Sequence, residues 1–268
     1  MFNTAQHCHV ESDVLNELRS YSSLPWARFT EEEFTSSLLK YSNISTPGSD
    51  KLSWKRLKII LKDKICLRNV IIITNTCIKL GHWPSHFKIS LTIVISKPNK
   101  ASYNLPKIFR LIILLNILGK LIKKVISDKI QFHVVANNFI HHSQLSSLKF
   151  KSMTDAGITL THFICMGWVK NILTNILAFN ISQFFPFLNY HLLSLILKKA
   201  GLDSLVIQFF SSYLINRSMQ YVCNNFSSHF VDINVRVDQD SALSPILLAL
   251  YLASFLHILE KCLKNLNL

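Results

Sequence analysis

The feature that most limits how this chain can fold is one uncharged, apolar stretch. Ser241–Leu259 carries no formal charge over 19 residues, which is long enough for about one crossing of a lipid bilayer. Serine, proline and histidine residues interrupt the stretch, and such polar residues weaken a membrane span. The pattern therefore predicts a helix over residues 242–263 that is buried in a protein core, with a membrane-spanning helix as the alternative.

Composition indicates a folded protein. Of the 268 residues, 49% are hydrophobic, more than disordered chains contain. Only six residues are glycines, although glycine provides the tight turns and close backbone approaches that ligand-binding loops use. The chain can build a large core, but it has few positions for turns and loops of this kind.

Charge is divided unevenly along the chain. Residues 1–50 contain three basic and seven acidic residues, whereas residues 51–268 contain 26 basic and eight acidic residues, a net charge of +18. A basic body of this size favours polyanionic partners such as RNA, DNA or an anionic membrane surface. A basic bias that serves only solubility is the alternative interpretation.

The cysteines indicate an intracellular protein. They are scattered, without a Cys-x-x-Cys pair, at Cys8, Cys66, Cys77, Cys165, Cys223 and Cys262. This spacing favours neither a zinc site nor a disulfide framework, and we interpret His7-Cys8-His9 as an accidental cluster. Because the first 20 residues are polar and mixed, they resemble no secretory signal. We expect a cytoplasmic or nuclear location, with no secretion.

Apolar periodicity and capping residues predict mostly helices. Thr30-Glu31-Glu32-Glu33 matches a capping box before a short helix that ends near Lys40. Apolar residues from Leu118 to Ile130 form one helix face. Four lysines are predicted to form the solvated face of that helix: Lys120, Lys123, Lys124 and Lys129. Further helices are predicted over residues 52–62, 65–80, 154–170, 189–200 and 203–215.

Strand signals are fewer. Leu91–Ile95 is rich in β-branched residues and is closed by Lys97-Pro98-Asn99-Lys100. Ile176–Asn180 predicts a buried strand, and residues 219–223 and 229–237 predict a strand pair.

Several short motifs follow one another in a fixed order. They are Thr46-Pro47-Gly48-Ser49-Asp50, Gly81-His82-Trp83-Pro84 followed by Lys97-Pro98-Asn99-Lys100, Phe109-Arg110-Leu111-Ile112 with Gly119-Lys120-Leu121, Lys149 and Lys151 before Thr154-Asp155-Ala156, Asn180 with Phe185, Tyr213-Leu214 with Arg217 and Gln220, and Arg236–Pro245. In order and spacing they resemble the reverse transcriptase domain of non-LTR (LINE-type) retrotransposons, over the chain from about Pro25 onward. Any one motif is weak, and the ordered set carries the resemblance.

The resemblance implies a fold and a reaction. It predicts an α+β fold, the fingers and partial palm of a right-hand polymerase, with helices packed on an antiparallel sheet. Residues 1–42 are then an N-terminal extension with one short helix, 43–175 a fingers-like region, and 176–268 a partial palm without the Asp-Asp hairpin and thumb. The family's reaction is RNA-directed DNA synthesis, a nucleotidyltransferase reaction in which a primer attacks a dNTP with the help of two Mg²⁺ ions.

The resemblance also assigns roles to individual residues. Lys97 and Arg110 would contact the nucleotide phosphates, since a guanidinium fork can bind two oxygens at once. Phe185 would lie beneath the sugar, with core packing as the alternative. The remaining assignments are nucleotide binding for Gln239 and Ser241, and template contacts for Lys149, Lys151 and Arg217.

Two departures from the family pattern argue against activity. Asn180 stands where the family has a metal-binding aspartate, and its neutral amide binds Mg²⁺ far less strongly than an anionic oxygen does. Asp240 replaces a glycine that lies against template and nucleotide, where a carboxylate repels phosphate. A substitute metal site at Asp238 and Asp240 would not lie beside Asn180, as polymerisation requires.

We therefore expect a catalytically inactive reverse transcriptase fragment, a pseudoenzyme that binds Mg²⁺ unproductively if at all. The first alternative is a non-catalytic, basic module that binds RNA or DNA non-specifically. The second is a protein that associates with membranes through residues 241–259.

Overall fold

The computed structural model describes most of the chain. The described residues are 22–23, 25–99, 102–105, 108–145, 148–176, 178, 188–223, 226–233 and 241–265. Within these ranges the protein has eight α-helices and five β-strands. The expectation of an α+β fold is confirmed at this level.

The helices begin where side chains can satisfy their first amide groups. They are α1 (Glu31–Leu39), α2 (Trp54–Ile60), α3 (Lys64–Lys79), α4 (Ile117–Ala136), α5 (Met153–Val169), α6 (Tyr190–Lys199), α7 (Ser204–Leu214) and α8 (Ser244–Asn265), and a 3₁₀ turn covers Ser85–Lys88. The first seven are capped by Thr30, Ser53, Asp63, Asn116, Ser152, Asn189 and Asp203. Each cap side chain accepts a hydrogen bond from a backbone N–H that the helix itself leaves unpaired. The predicted capping box at Thr30 is confirmed, and the helix predicted from residue 203 begins with Asp203 as its cap.

The five strands form one small sheet. They are β1 (Ile89–Ser96), β2 (Phe109–Leu115), β3 (Arg217–Cys223), β4 (Phe226–Ser227) and β5 (Val231–Ile233). β1 is central, with β2 antiparallel on one side and β3 parallel on the other, and β4 and β5 both pair antiparallel with β3.

The sheet is mixed, which corrects the expectation of a purely antiparallel sheet. After β2 the chain passes through helices α4 to α7 and then forms β3, which lies beside β1 and runs in the same direction. Parallel pairing requires a long crossover of this kind, whereas an antiparallel pair can be joined by a short turn.

α4 is the central helix of the core. Buried apolar side chains line one face of it from Ile117 to Val134, whereas Phe132 is exposed, and α1, α2 and α8 all pack against it. The prediction that its lysines form a solvated face is wrong for two of them, since Lys123 is 1% exposed and Lys129 is 9% exposed.

The buried lysines keep polar or aromatic partners. Lys129 Nζ donates to the carbonyl of Arg28 at 2.9 Å and lies 3.1 Å from a carboxylate oxygen of Glu33. Lys123 Nζ lies 5.7 Å from the ring centre of Tyr213. A lysine can bury its apolar stem when its ammonium group finds such partners, and helix periodicity alone cannot show that neighbouring segments will cover it.

α8 is only partly a core helix. Its first half is buried, including Ile246, Leu250 and Ala253, but Phe255 is 55% exposed and Leu259 is 40% exposed. By length and composition alone this helix could cross a membrane, with 33% of its most apolar window buried in the protein. The expectation of a core helix is confirmed for its N-terminal half.

The predicted buried strand over residues 176–180 is not seen at the two of these residues that the structure describes. Ile176 and Ala178 are not in a strand, and Ile176 is 62% exposed. Residues 177, 179 and 180 lie outside the described residues. The apolar side chain of Ile176 indicated burial, but none of the described strands pairs with this residue.

Candidate nucleotide and nucleic-acid site

A groove of about 930 Å³ lies between the turn before α2, the β1–β2 pair and the start of α4. Three cationic side chains line it: Lys97 after β1, Arg110 in β2, and Lys120 in the first turns of α4. Ser45 and Thr46 complete its polar wall. The groove thus joins three segments that are far apart in the sequence.

The pairing of β1 with β2 sets the positions of Lys97 and Arg110. Ile95 lies opposite Arg110, and the backbone N–H of Lys97 donates to the carbonyl of Ile108 at 2.9 Å. The carbonyl of Lys97 accepts a hydrogen bond from the Tyr103 hydroxyl at 3.1 Å. Both cations are therefore held at the same end of the strand pair.

Gly48 brings the turn against the sheet. A Cβ atom at this position would lie 2.7 Å from the carbonyl carbon and oxygen of Leu115, so only a hydrogen atom fits. The adjacent Asn116 caps α4 by accepting a hydrogen bond from Gly119 at 3.2 Å, which sets the direction in which Lys120 leaves the helix. The wall of the groove depends on this close approach.

The groove is positive. Its described lining contains three cations and no carboxylate; Arg110 is exposed, and Lys97 and Lys120 are half-buried. Cations in a partly enclosed concave surface strengthen one another's field and attract phosphate groups. The arrangement can bind a phosphate ester, and Arg110 can offer it two parallel hydrogen bonds.

Lys120 is the member of this site that sequence reasoning missed. The periodicity of α4 indicated only a solvated lysine. Its place in the Gly119-Lys120-Leu121 motif, directly after Phe109-Arg110-Leu111-Ile112, was the available signal.

The lysines predicted on the template side bind elsewhere. Lys149 Nζ lies 2.9 Å from a carboxylate oxygen of Asp128. Lys151 Nζ donates to the carbonyls of His142 and Gln144, at 3.4 and 3.1 Å. Neither residue lines the groove.

Arg217 and Ser241 are buried. Arg217 is 2% exposed, and its guanidinium carbon lies 5.4 Å from the ring centre of Tyr213. Burial, and then the charge of Arg217, lower the pKa of the nearby Lys88. Ser241 is 3% exposed and accepts a hydrogen bond from the Tyr213 hydroxyl at 2.9 Å. Tyr213 thus contacts both residues.

Three predicted site residues lie outside the described residues: Asn180, Phe185 and Gln239. The same holds for Asp238 and Asp240. Of the predicted nucleotide-binding set, Lys97 and Arg110 are brought together in the groove.

Neither a protein-family model nor a curated protein matches this chain.

Proposed function

We propose that this chain is a reverse transcriptase domain of the non-LTR retrotransposon type that has lost DNA synthesis and still binds nucleic acid through phosphate contacts in the groove. The observation that carries the proposal is the convergence of Lys97 and Arg110 with the Thr46-Pro47-Gly48 turn around one positive groove. These residues belong to three separate motifs of the resemblance.

The loss of synthesis rests on Asn180. Two-metal phosphoryl transfer requires anionic oxygens that hold Mg²⁺ beside the reacting phosphate. The nearest carboxylates in the sequence are those of Asp155 and Asp203. Asp155 lies in the first turn of α5 and completes its capping box, where it accepts hydrogen bonds from Ser152 that lower its pKa. Asp203 caps α7, so both side chains already have structural roles.

Binding of RNA or DNA rests on charge. Residues 51–268 carry a net charge of +18, and the groove concentrates three of these cations. Because phosphate contacts release counterions, affinity should fall steeply as salt rises and should depend little on base sequence.

The test is a titration of a labelled single-stranded RNA by fluorescence anisotropy at two salt concentrations. We expect Arg110→Ala and Lys97→Ala to weaken binding to all sequences alike, and each to reduce the salt slope by about 1. Arg68→Ala and Lys198→Ala are matched controls, because both side chains are exposed on other helices and should change affinity less. Equal losses in all four variants would remove the groove as the binding site.

A primer-extension assay on poly(rA)/oligo(dT) tests the loss of synthesis. The purified chain should incorporate no dTMP above a heat-killed control with Mg²⁺ present. Incorporation by the wild-type chain would overturn this half of the proposal and leave the binding half standing.

One observation favours a second candidate, association with membranes. The C-terminal half of α8 leaves Phe255, Leu259 and Leu263 exposed. If this half binds lipid, the protein will float with liposomes in a density gradient at neutral pH. Failure to float eliminates this candidate.

A further inference from the structure

Two histidines and one glutamate meet where the loop after α4 contacts α8. His141 and His142 lie in that loop, and Glu260 lies near the end of α8. One ligand atom from each of the three side chains falls within 4.8 Å of the other two. The cluster shares no residue with the groove.

We propose that His141, His142 and Glu260 bind one zinc ion. Two imidazole nitrogens and one carboxylate oxygen are a donor set that zinc uses in proteins, with a water molecule in the fourth tetrahedral position. Mg²⁺ is a poor candidate because it prefers oxygen ligands.

The distances require only small side-chain movements. His141 Nε2 lies 2.9 Å from Glu260 Oε2, whereas two donor atoms on a tetrahedral zinc ion lie about 3.4 Å apart, given bonds of roughly 2.0–2.2 Å. His142 is exposed and Glu260 is half-buried, so both can adjust. His141 is 4% exposed and provides the fixed ligand.

His141 also has the outer partner that a metal ligand needs. Without metal, His141 Nδ1 accepts a hydrogen bond from the backbone N–H of Ser143 at 3.3 Å, so the ring proton is on Nε2 and is donated to Glu260. Zinc binding at Nε2 moves this proton to Nδ1 without net release. The bond from the Ser143 N–H is then exchanged for one from Nδ1–H to Ser143 Oγ, which lies 2.6 Å away. Outer partners of this kind orient metal-bound histidines.

The surroundings hold the loop in place. Lys151 donates to the carbonyls of His142 and Gln144, which fixes the backbone around the two histidines. The ring of His257 from α8 packs edge-on to His141, with ring centres 4.8 Å apart. Both contacts reduce the conformational freedom that metal binding would otherwise have to remove.

Lys264 competes with the ion. Its Nζ lies 2.9 Å from Glu260 Oε1, and it neutralises the one anionic ligand. A glutamate carboxylate is ionised at neutral pH, so Glu260 offers an anionic ligand once Lys264 is displaced.

The experiment measures zinc affinity by competition with a chromogenic chelator, and coordination geometry by the visible absorption of the cobalt-substituted protein. The full chain is used with its accessible thiols alkylated, because free cysteines also bind zinc. We expect one ion per chain, and about 10- to 100-fold weaker binding in His142→Ala and in Glu260→Gln, since even outer partners of metal ligands contribute that much.

Two further variants make the outcome decisive. Lys264→Ala should tighten zinc binding, a result that partial unfolding cannot produce. The double variant His7→Ala/His9→Ala removes another histidine pair that lies close in sequence and should leave affinity unchanged. The proposal is overturned if the native chain binds no zinc, or if binding survives in His142→Ala and is lost in His7→Ala/His9→Ala.

Discussion

Lys149 Nζ lies 2.9 Å from Oδ2 of Asp128 and ties the segment before α5 to the last turns of α4. The same carboxylate accepts a hydrogen bond from Lys124 at 2.8 Å and lies 3.7 Å from Lys40 Nζ. The Asp128 side chain is 14% exposed. Three separate segments are therefore held by one anion.

Asp128→Asn should destabilise the protein at neutral pH by about 1.5–3 kcal/mol, the usual net contribution of hydrogen bonds to a charged group. Burial opposes ionisation of Asp128, but the hydrogen bonds from Lys124 and Lys149 outweigh it and lower its pKa. A lowered folded-state pKa gives stability that is present above the unfolded-state pKa of about 3.9. That stability is lost as pH falls through the folded-state pKa.

Urea unfolding of both proteins at pH 7 and near pH 3 checks this. The difference in unfolding free energy between wild type and Asp128→Asn should shrink at the lower pH. A difference that stays constant with pH would show that the carboxylate charge contributes nothing.

Gly48→Ala should be destabilising and should weaken RNA binding in the groove. The added methyl group would lie 2.7 Å from the backbone of Leu115, and overpacking of this kind costs about 1–3 kcal/mol. Gly157→Ala on α5 is the matched control, because nothing lies within 4 Å of a Cβ there. It should stabilise the helix by up to about 1 kcal/mol.

Thermal unfolding and the anisotropy titration together measure both effects. If Gly48→Ala and Gly157→Ala behave alike, the close approach of the turn to β2 does not shape the groove.

The chain should self-associate through α5. None of this helix's residues is buried against the described part of the chain, and Ile158, Phe163 and Trp168 are each more than 60% exposed. These side chains are spaced five residues apart and so lie on different sides of the helix, and large exposed apolar surface favours association. The double variant Phe163→Ser/Trp168→Ser should raise the monomer fraction in sedimentation velocity over a concentration series.

Leu39→Ser, at an isolated residue that is 73% exposed, should leave the distribution unchanged. A wild-type chain that sediments as a monomer at every concentration would refute association through α5.

Cys77 should be unreactive in the folded protein. It is 6% exposed, and burial raises the pKa of its thiol to about 11, so the reactive thiolate is scarce at neutral pH. Cys165 and Cys262 are exposed and should be alkylated first. Mass spectrometry of peptides after timed iodoacetamide treatment, with and without urea, measures the order. Labelling of native Cys77 as fast as Cys165 would contradict the buried placement.

The helices could be predicted because their signals, capping residues and apolar periodicity, involve residues that are close together in the sequence. Thr30 and Asp203 cap helices through hydrogen bonds within three residues, and apolar periodicity located α4. β2 was not predicted as a strand, because Phe109–Leu115 is apolar on both faces and has no alternation to indicate one. The parallel pairing of β1 with β3 was also missed, since it depends on what lies between the strands.

Motif spacing identified Lys97 and Arg110, and the pairing of adjacent strands brings them into one groove. Their nucleotide-binding role stays a prediction. The template roles of Lys149 and Arg217 also stay predictions; Lys149 binds Asp128 and Arg217 lies in the core. Long cationic side chains reach partners over several ångströms, so sequence position constrains their partners weakly. The meeting of His141 with Glu260, 119 residues apart, left no pattern beyond the adjacent His141-His142 pair.

The hydrogen bond from the Ser90 hydroxyl to the Ser218 carbonyl closes 128 residues of chain between β1 and β3. During synthesis, β1 and β2 emerge from the ribosome first, and at about 5–20 residues per second the third strand follows roughly 6–25 s later. Throughout that interval the central strand has one open edge, which can pair with another nascent chain. Translation speed and chaperone supply therefore influence how much of this protein reaches its native topology.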